Sequence, residues 1–252
     1  PLPRRGRPLS EVVGRLERDV VTDANHLMHP MYMGHQVSAP VPAAIWTEMV
    51  TAAVNNSAAV WEMSPTGTVV EQRVVRWLCE LAGLGPSSGG TLTTGGTEAT
   101  FTALLAARSV ALPDVWTNGV PADPPVIVYG EQAHYAVARA VGEMGLGMRN
   151  AVSVPVRDYR MDVTALETTL DRLTREGRTV MAVVATAGST PTGSFDDLDA
   201  IGRLCESRGI WLHVDAAHGG SALFSAKHSA RLTGIERASS IAWDPHKMML
   251  MP

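Results

Sequence analysis

The order of apolar and amphipathic segments constrains the fold of this chain more than any other feature of its sequence. Four short segments have the length and the Val, Ile and Ala content of strands that are buried on both faces of a sheet. They are residues 126–129, 180–186, 210–215 and 240–243. Helical spacing of apolar residues at 162–177 and 196–209 predicts helices between them. This order predicts an α/β fold with a mostly parallel sheet flanked by helices.

Composition narrows the class of protein further. The chain has 252 residues, 45% of them hydrophobic and 18% charged, and its formal net charge is −4. These values exclude a disordered chain, and a mildly acidic protein has no long-range attraction for nucleic acid or anionic lipid. No apolar run approaches the ~20 residues that a membrane helix needs. The charge and the short apolar runs thus favour no nucleic-acid and no membrane partner. Because the two cysteines, Cys79 and Cys205, lie in apolar helical patterns, we expect a cytoplasmic protein.

A Gly-Gly turn precedes the helical run at residues 101–108. Gly95 and Gly96 permit close approach of the backbone, Thr97 can cap the helix, and exposed amides at a helix N-terminus form a seat for phosphate. The same pattern is typical of an ordinary helix start. By itself it therefore favours a plain helix start over a phosphate site.

Asp215 falls at the end of the third predicted strand, where ligands bind in parallel sheets. Its carboxylate could hold a cationic ring nitrogen. Together with His213 and His218 it could instead bind a metal, because His-x-Asp-x-x-His contains the right ligand types. A third interpretation is that Asp215 only caps the turn that follows the strand.

Lys247 is one of two lysines in the chain, the other being Lys227. It follows the fourth predicted strand and a proline-fixed turn, and an apolar run of methionines and leucine comes directly after it. Burial disfavours an ammonium group and suits an amine that forms a Schiff base, although a lysine that snorkels from a partly buried turn fits equally well.

His134, after the first predicted strand, could stack on a flat heterocycle or cap a helix.

One cofactor requires a phosphate seat, a stacking ring, an acid for a ring nitrogen and a reactive lysine, and that cofactor is pyridoxal phosphate. The chain also resembles the pyridoxal-phosphate-dependent decarboxylases of the group that includes glutamate, aromatic-amino-acid and diaminobutyrate decarboxylases. Six motifs of that group occur in order. They are His29-Pro30-Met31-Tyr32, residues 95–100, Gln132-Ala133-His134, residues 185–190, residues 214–217, and Ser240-Ile241 followed after five residues by Lys247.

The resemblance implies an aspartate-aminotransferase-like fold, fold type I, and a set of residues around the cofactor. Lys247 would form the Schiff base, Asp215 would pair with the pyridine nitrogen, and His134 would stack on the ring. The implied cofactor contacts are Gly96, Thr97, His134, Thr186, Asp215, Ala217, His246 and Lys247. Asp244 occupies a position where many members have Asn near the phosphate. Since a carboxylate would repel a phosphate dianion, we expect Asp244 to point away or bond elsewhere, and we leave it out of the site.

The implied activity is that of a carboxy-lyase acting on an L-amino acid. Gly34-His35-Gln36 resembles the glutamate and diaminobutyrate branches more than the aromatic one, which favours an acidic or diamino substrate. Gln36 could meet a substrate carboxylate, or it could bond only the loop backbone. Two other functions stay open: a different pyridoxal-phosphate lyase that cleaves a Cα–Cβ bond, and a non-catalytic relative.

The resemblance also implies how the whole protein is organised. We expect residues 1–65 to form an N-terminal arm and residues 66–252 the cofactor-binding large domain of a homodimer. A C-terminal small domain, and the proton donor to Cα, would lie beyond residue 252. The apolar run 248–252 reads as the start of a strand without a neighbour. We therefore expect the 252-residue segment alone to be inactive.

Overall fold

The computed structural model describes residues 3–35 and 37–252. Its α-helices are α1 (Leu9–Leu16), α2 (Pro42–Val54), α3 (Pro65–Leu81), α4 (Gly96–Ala111), α5 (Val115–Asn118), α6 (Ala136–Glu143), α7 (Val163–Arg175) and α8 (Leu198–Arg208). A π-helical stretch, Glu17–Val21, continues α1. Short 3₁₀ helices occur at Trp61–Met63, Met148–Asn150, Gly219–Phe224, Ser229–Leu232 and Ile235–Arg237.

Five parallel strands form the sheet that organises the fold. The described residues contain seven strands in all, of which five belong to this sheet. The seven are β1 (Val126–Gly130), β2 (Ala151–Val154), β3 (Val156–Arg157), β4 (Arg160–Met161), β5 (Val180–Thr186), β6 (Trp211–Asp215) and β7 (Ser240–Ala242). The sheet has the order β2-β1-β5-β6-β7, and β3 and β4 form a separate antiparallel hairpin. The prediction of a parallel sheet is confirmed. Strand β2 was missed, because its four residues are too short to show a pattern of their own.

The sheet is covered on both faces, and β5 shows how. Val183 and Ala185 belong to the cluster of buried side chains under α7 and α8, whereas Ala182 and Val184 belong to the cluster under α4 and α6. Successive strand residues point to opposite faces, so one strand contributes to both cores. Its near-continuous apolar sequence follows directly from that double burial.

Helix α7 begins and ends where its sequence signals predict. The Asp162 carboxylate accepts hydrogen bonds from the backbone N–H groups of Thr164 at 2.9 Å and Ala165 at 3.1 Å, which caps the N-terminus. Leucines of the helix are buried against the sheet. Gly177, with φ of 71°, lies just beyond its end.

The loop between β5 and α8 is fixed by a buried carboxylate and a close backbone contact. Asp196 accepts hydrogen bonds from the backbone N–H groups of Met161 and Thr186, both at 2.7 Å, and burial raises its pKa. Gly188 has φ of 90°, and a Cβ there would lie 2.8 Å from the backbone nitrogen of Gly219. Asp196 thus joins the end of β5 to β4, and the absence of a side chain at Gly188 lets Gly219 N approach and donate to Ala187 O at 3.0 Å.

The first two helices, α1 and α2, differ from the later helices in how little of their surface is buried. None of the described residues of α1 or α2 is buried, although α2 carries several large apolar side chains. None of the described helices combines the length and the apolar character that crossing a bilayer requires. The boundary that the sequence places at residue 65 stays a prediction.

Candidate active site

A cavity of about 610 Å³ opens at the carboxyl edge of the sheet, between the first turn of α4 and the segments that follow β5, β6 and β7. Parallel topology brings the ends of these strands to one edge, so residues far apart in sequence meet there. All eight residues that the sequence assigns to the cofactor line this cavity: Gly96, Thr97, His134, Thr186, Asp215, Ala217, His246 and Lys247. Gln36, the candidate substrate contact, lies outside the described residues.

Lys247 is paired with a carboxylate in its own turn. Its Nζ lies 2.8 Å from Oδ2 of Asp244, and His246 Nε2 lies 3.9 Å from the same oxygen. The Asp244 side chain is only 6% exposed, against 26% for Lys247. The amine therefore enters the cavity as one half of a largely buried ion pair.

The expectation that Asp244 points away from the site is wrong. Asp244 lines the cavity and is packed against the start of α4: a Cβ on Gly96 would lie 2.6 Å from its Oδ2. The carboxylate does bond elsewhere, namely to Lys247. The turn geometry decides this, because Lys247 N donates to Asp244 O at 3.3 Å and thereby brings both side chains to the same side.

Asp215 ends β6 and is buried, with 8% of its surface exposed. Its Oδ1 accepts a hydrogen bond from Ala217 N at 3.1 Å, so it does cap the following turn. Within residues 3–35 and 37–252, Oδ2 has no hydrogen-bond partner. One carboxylate thus serves both interpretations: one oxygen fixes the turn and the other is available to a ligand.

The start of α4 is built differently from the predicted cap. Gly95 is the N-cap and no side chain caps the helix, so the expectation that Thr97 does so is wrong. Glu98 instead accepts hydrogen bonds from Thr94 N at 2.8 Å and Thr94 Oγ1 at 2.5 Å, and these bonds lower its pKa. The amide groups of the first turn have no partners within the helix and are free to meet an anion.

His134 lines the cavity from the segment after β1. Its Nδ1 accepts a hydrogen bond from Ala136 N at 3.3 Å, and its ring centroid lies 4.1 Å from that of Tyr135. The imidazole therefore orients the start of α6, as the capping interpretation has it. It also presents an aromatic ring to the cavity, as stacking on a heterocycle requires.

The cavity also contains residues that the sequence did not assign to the cofactor, among them Phe101, Gln132, Ser189, Thr190, His218 and Asp244. His218 is the most consequential: burial, and then the charge of Lys247, lower its pKa. Its place directly after Ala217 was the available signal. In the described part of the chain no three His, Cys, Asp or Glu side chains come together as a metal site.

A family comparison decides between the remaining interpretations. The model of the pyridoxal-dependent decarboxylase conserved domain matches residues 1–252. The chain belongs to this family. The sequence-based recognition of the pyridoxal-dependent decarboxylases is thereby confirmed, and so is the prediction of pyridoxal phosphate as the cofactor.

Individual relatives and structures agree with the family match. The chain is 36% identical to the L-2,4-diaminobutyrate decarboxylase of Rhizobium meliloti over 253 residues, which cover 100% of this chain and 50% of that protein. It is 36% identical to an L-aspartate decarboxylase of Metarhizium robertsii, with 94% and 48% covered. The chain thus spans about half the length of the curated relatives that it matches.

The fold is shared with a solved decarboxylase of the family. The glutamate decarboxylase domain of a diaminobutyrate-pyruvate transaminase and L-2,4-diaminobutyrate decarboxylase from Vibrio parahaemolyticus has a TM-score of 0.95 and 34% identity, with 100% of this chain and 56% of that chain covered. The predicted fold of type I pyridoxal-phosphate enzymes is confirmed.

Proposed function

We propose that this protein is a pyridoxal-phosphate-dependent carboxy-lyase that decarboxylates an L-amino acid. One observation carries the proposal: the Lys247 amine, the Asp215 carboxylate and the first turn of α4 face a single cavity. An amine for an aldehyde, an anion for a ring nitrogen and amides for a phosphate are the three contacts that this cofactor needs.

The residues present fit the cofactor at each of its ends. The first-turn amides at Gly96 and Thr97 would hold the phosphate, and Gly96 leaves no room for a side chain beside Asp244. His134 would cover one face of the ring and Ala217 the other. Thr186 and His246 would line the site.

Each side chain then has a defined task. When bound, pyridoxal phosphate withdraws the electrons that remain on Cα after carbon dioxide leaves. Lys247 Nζ would be the amine that binds the aldehyde of the cofactor. Asp215 would keep a proton on the ring nitrogen through the charge of its free oxygen, which would be the main electrostatic contribution of this chain.

We infer an acidic or diamino substrate rather than an aromatic one. The relatives named as diaminobutyrate and aspartate decarboxylases are 36% identical to this chain, whereas the tryptophan decarboxylase of Catharanthus roseus is 26% identical with a TM-score of 0.89. Gln36 is the proposed contact for a substrate carboxylate.

We also propose that the protein is a homodimer of the cytoplasm. Trp46, Met49, Val50 and Val54 of α2 are each more than half exposed, and a second copy would cover such an apolar face. Both cysteines are buried free thiols, as a reducing compartment permits. Light scattering after size-exclusion chromatography would report a single subunit mass if the dimer is wrong.

The function is tested on the protein as its host makes it, loaded with pyridoxal phosphate. Single L-amino acids, including aspartate, glutamate, 2,4-diaminobutyrate and tryptophan, are supplied while carbon dioxide and aldehyde are measured separately. We expect carbon dioxide in stoichiometric amount with the amine product. Aldehyde without carbon dioxide would indicate Cα–Cβ cleavage, and release of neither would indicate a non-catalytic relative.

A further inference from the structure

His213 is a completely buried histidine that the proposed function does not use. It lies on β6 two residues before Asp215, so both side chains are on the same face of the strand. Its neighbour across the sheet is Ser240 of β7, with which it is in register. Ser240 is the first residue of the motif that ends at Lys247, and so far it has no task in the site.

The hydrogen bonds around Ser240 determine which nitrogen of His213 carries the proton. Trp211 Nε1, which can only donate, donates to Ser240 Oγ at 2.8 Å. Ser240 Oγ also lies 2.9 Å from His213 Nδ1, and either of these two atoms can be the donor. When the hydroxyl donates, the proton of the neutral imidazole lies on Nε2.

His213 Nε2 is buried and has no hydrogen-bond partner among the residues that the structure describes. A buried polar nitrogen without a partner destabilises the fold, so a neighbouring group must compensate for it. Burial lowers the pKa of His213 to about 4, although the charge of Asp215 and a hydrogen bond with the backbone of Ser240 act in the opposite direction. His213 is therefore a neutral dipole beside an anion.

We propose that His213 is a positioning residue for Asp215, and that Ser240 donates to Nδ1 and thereby keeps the imidazole proton on Nε2, where its dipole acts on the carboxylate two residues along the same strand face. The inference rests on the proposed function, because it assigns His213 a role in holding the carboxylate that would pair with the ring nitrogen of the cofactor. A neutral donor stabilises the carboxylate without neutralising it. Asp215 thus keeps its full charge for the ring nitrogen, which a protonated histidine at the same place would compete for.

Ser240→Ala tests the tautomer, with Ser239→Ala as the matched control. Ser239 lies on the same segment and accepts a hydrogen bond from Leu212 N at 3.3 Å, but it does not touch His213. Without the Ser240 hydroxyl, Nδ1 can take the proton, and Nε2 then has no N–H group with which to stabilise the Asp215 carboxylate. We expect the dissociation constant of pyridoxal phosphate to rise about tenfold, and the visible absorption band of the bound cofactor to shift, in Ser240→Ala alone.

Two variants of His213 separate positioning from packing. Gln retains an amide N–H near the position of Nε2, whereas Leu has similar bulk and no donor. We expect His213→Gln to retain the wild-type absorption band and His213→Leu to lose it. Circular dichroism of each cofactor-free variant establishes whether it is folded. If His213→Leu does not fold, the comparison of Ser240→Ala with Ser239→Ala decides the question.

The outcomes separate the two proposals. If the wild-type protein develops no visible band with pyridoxal phosphate, the proposed function fails and this inference fails with it. If the band forms and Ser240→Ala matches Ser239→Ala in both affinity and spectrum, the proposed function stands and the positioning role of His213 is overturned.

Discussion

Lys247 Nζ lies 2.8 Å from Asp244 Oδ2, while the same carboxylate is packed against Gly96 at the first turn of α4. One buried anion therefore touches both the reactive amine and the seat proposed for phosphate. The ion pair must open before the amine can attack an aldehyde, and a phosphate dianion that binds at α4 meets a like charge. Both effects oppose binding of the cofactor, and both come from the charge of the Asp244 carboxylate.

Asp244→Asn should therefore bind pyridoxal phosphate more tightly than the wild-type protein. The substitution keeps the size of the side chain and removes the charge that repels the phosphate and holds the amine. We expect a fall of about tenfold in the dissociation constant, measured by titration of the visible band, because two charges a few ångströms apart near a protein surface interact by more than 1 kcal/mol. Weaker binding would mean that Asp244 helps to hold the cofactor.

Lys247→Ala should abolish the adduct that borohydride traps between pyridoxal phosphate and the protein. Lys227, the other lysine of the chain, is exposed, so Lys227→Ala is the matched control and should leave the adduct intact. Peptide mass mapping after reduction identifies the modified residue. A trapped cofactor on Lys227 would refute the site.

Asp215→Asn should retain cofactor but lose turnover. The amide has the same shape, and one of its atoms can still accept from Ala217 N, yet it carries no charge to stabilise a proton on the ring nitrogen. The loss of one preorganised charge interaction, which contributes ~3 to 4 kcal/mol, corresponds to a fall of ~10² to 10³ in the rate of carbon dioxide release. Undiminished decarboxylation would remove Asp215 from the mechanism.

Gly188→Ala should destabilise the protein far more than Gly193→Ala. Both glycines have positive φ, 90° and 63°, but a Cβ on Gly188 meets the backbone of Gly219 at 2.8 Å, whereas Gly193 has nothing within 4 Å. We expect Gly193→Ala to lower the free energy of unfolding by about 1 kcal/mol, because its backbone is strained. Gly188→Ala should lower it by about 3 kcal/mol or more. Urea unfolding measures both, and equal losses would contradict the close contact.

His213 should make the cofactor-free protein lose stability in acid. Its pKa falls from 6.5 to about 4 on folding, so the unfolded chain binds the proton more readily. The stability it contributes is complete above pH 6.5 and declines as the pH falls toward 4, by about 3 kcal/mol at most. Unfolding of the wild-type protein and His213→Gln across this range measures the difference, which should vanish if His213 is not the group that titrates.

The sequence was sufficient for features that depend on neighbouring residues. The strands at 126–129 and 180–186 were recognisable because a strand buried on both faces has an apolar sequence throughout. Asp162 and Gly177 marked the ends of α7 because caps act within one turn. Lys247 and Asp215 were singled out by residue type and by their position at or near the ends of strands, and the family resemblance gave them roles that stay predictions.

Contacts between distant segments could be decided only by the tertiary structure. From the sequence, Asp244 either points away from the site or bonds elsewhere, and Thr97 can cap the helix, whereas the fold packs Asp244 against Gly96, pairs it with Lys247 and leaves Gly95 as the cap. The partner of His213 is Ser240, 27 residues away. Such pairings depend on the register of parallel strands and on the direction in which each turn leaves the sheet. Local propensity carries no information about either, since both are fixed only when the sheet assembles.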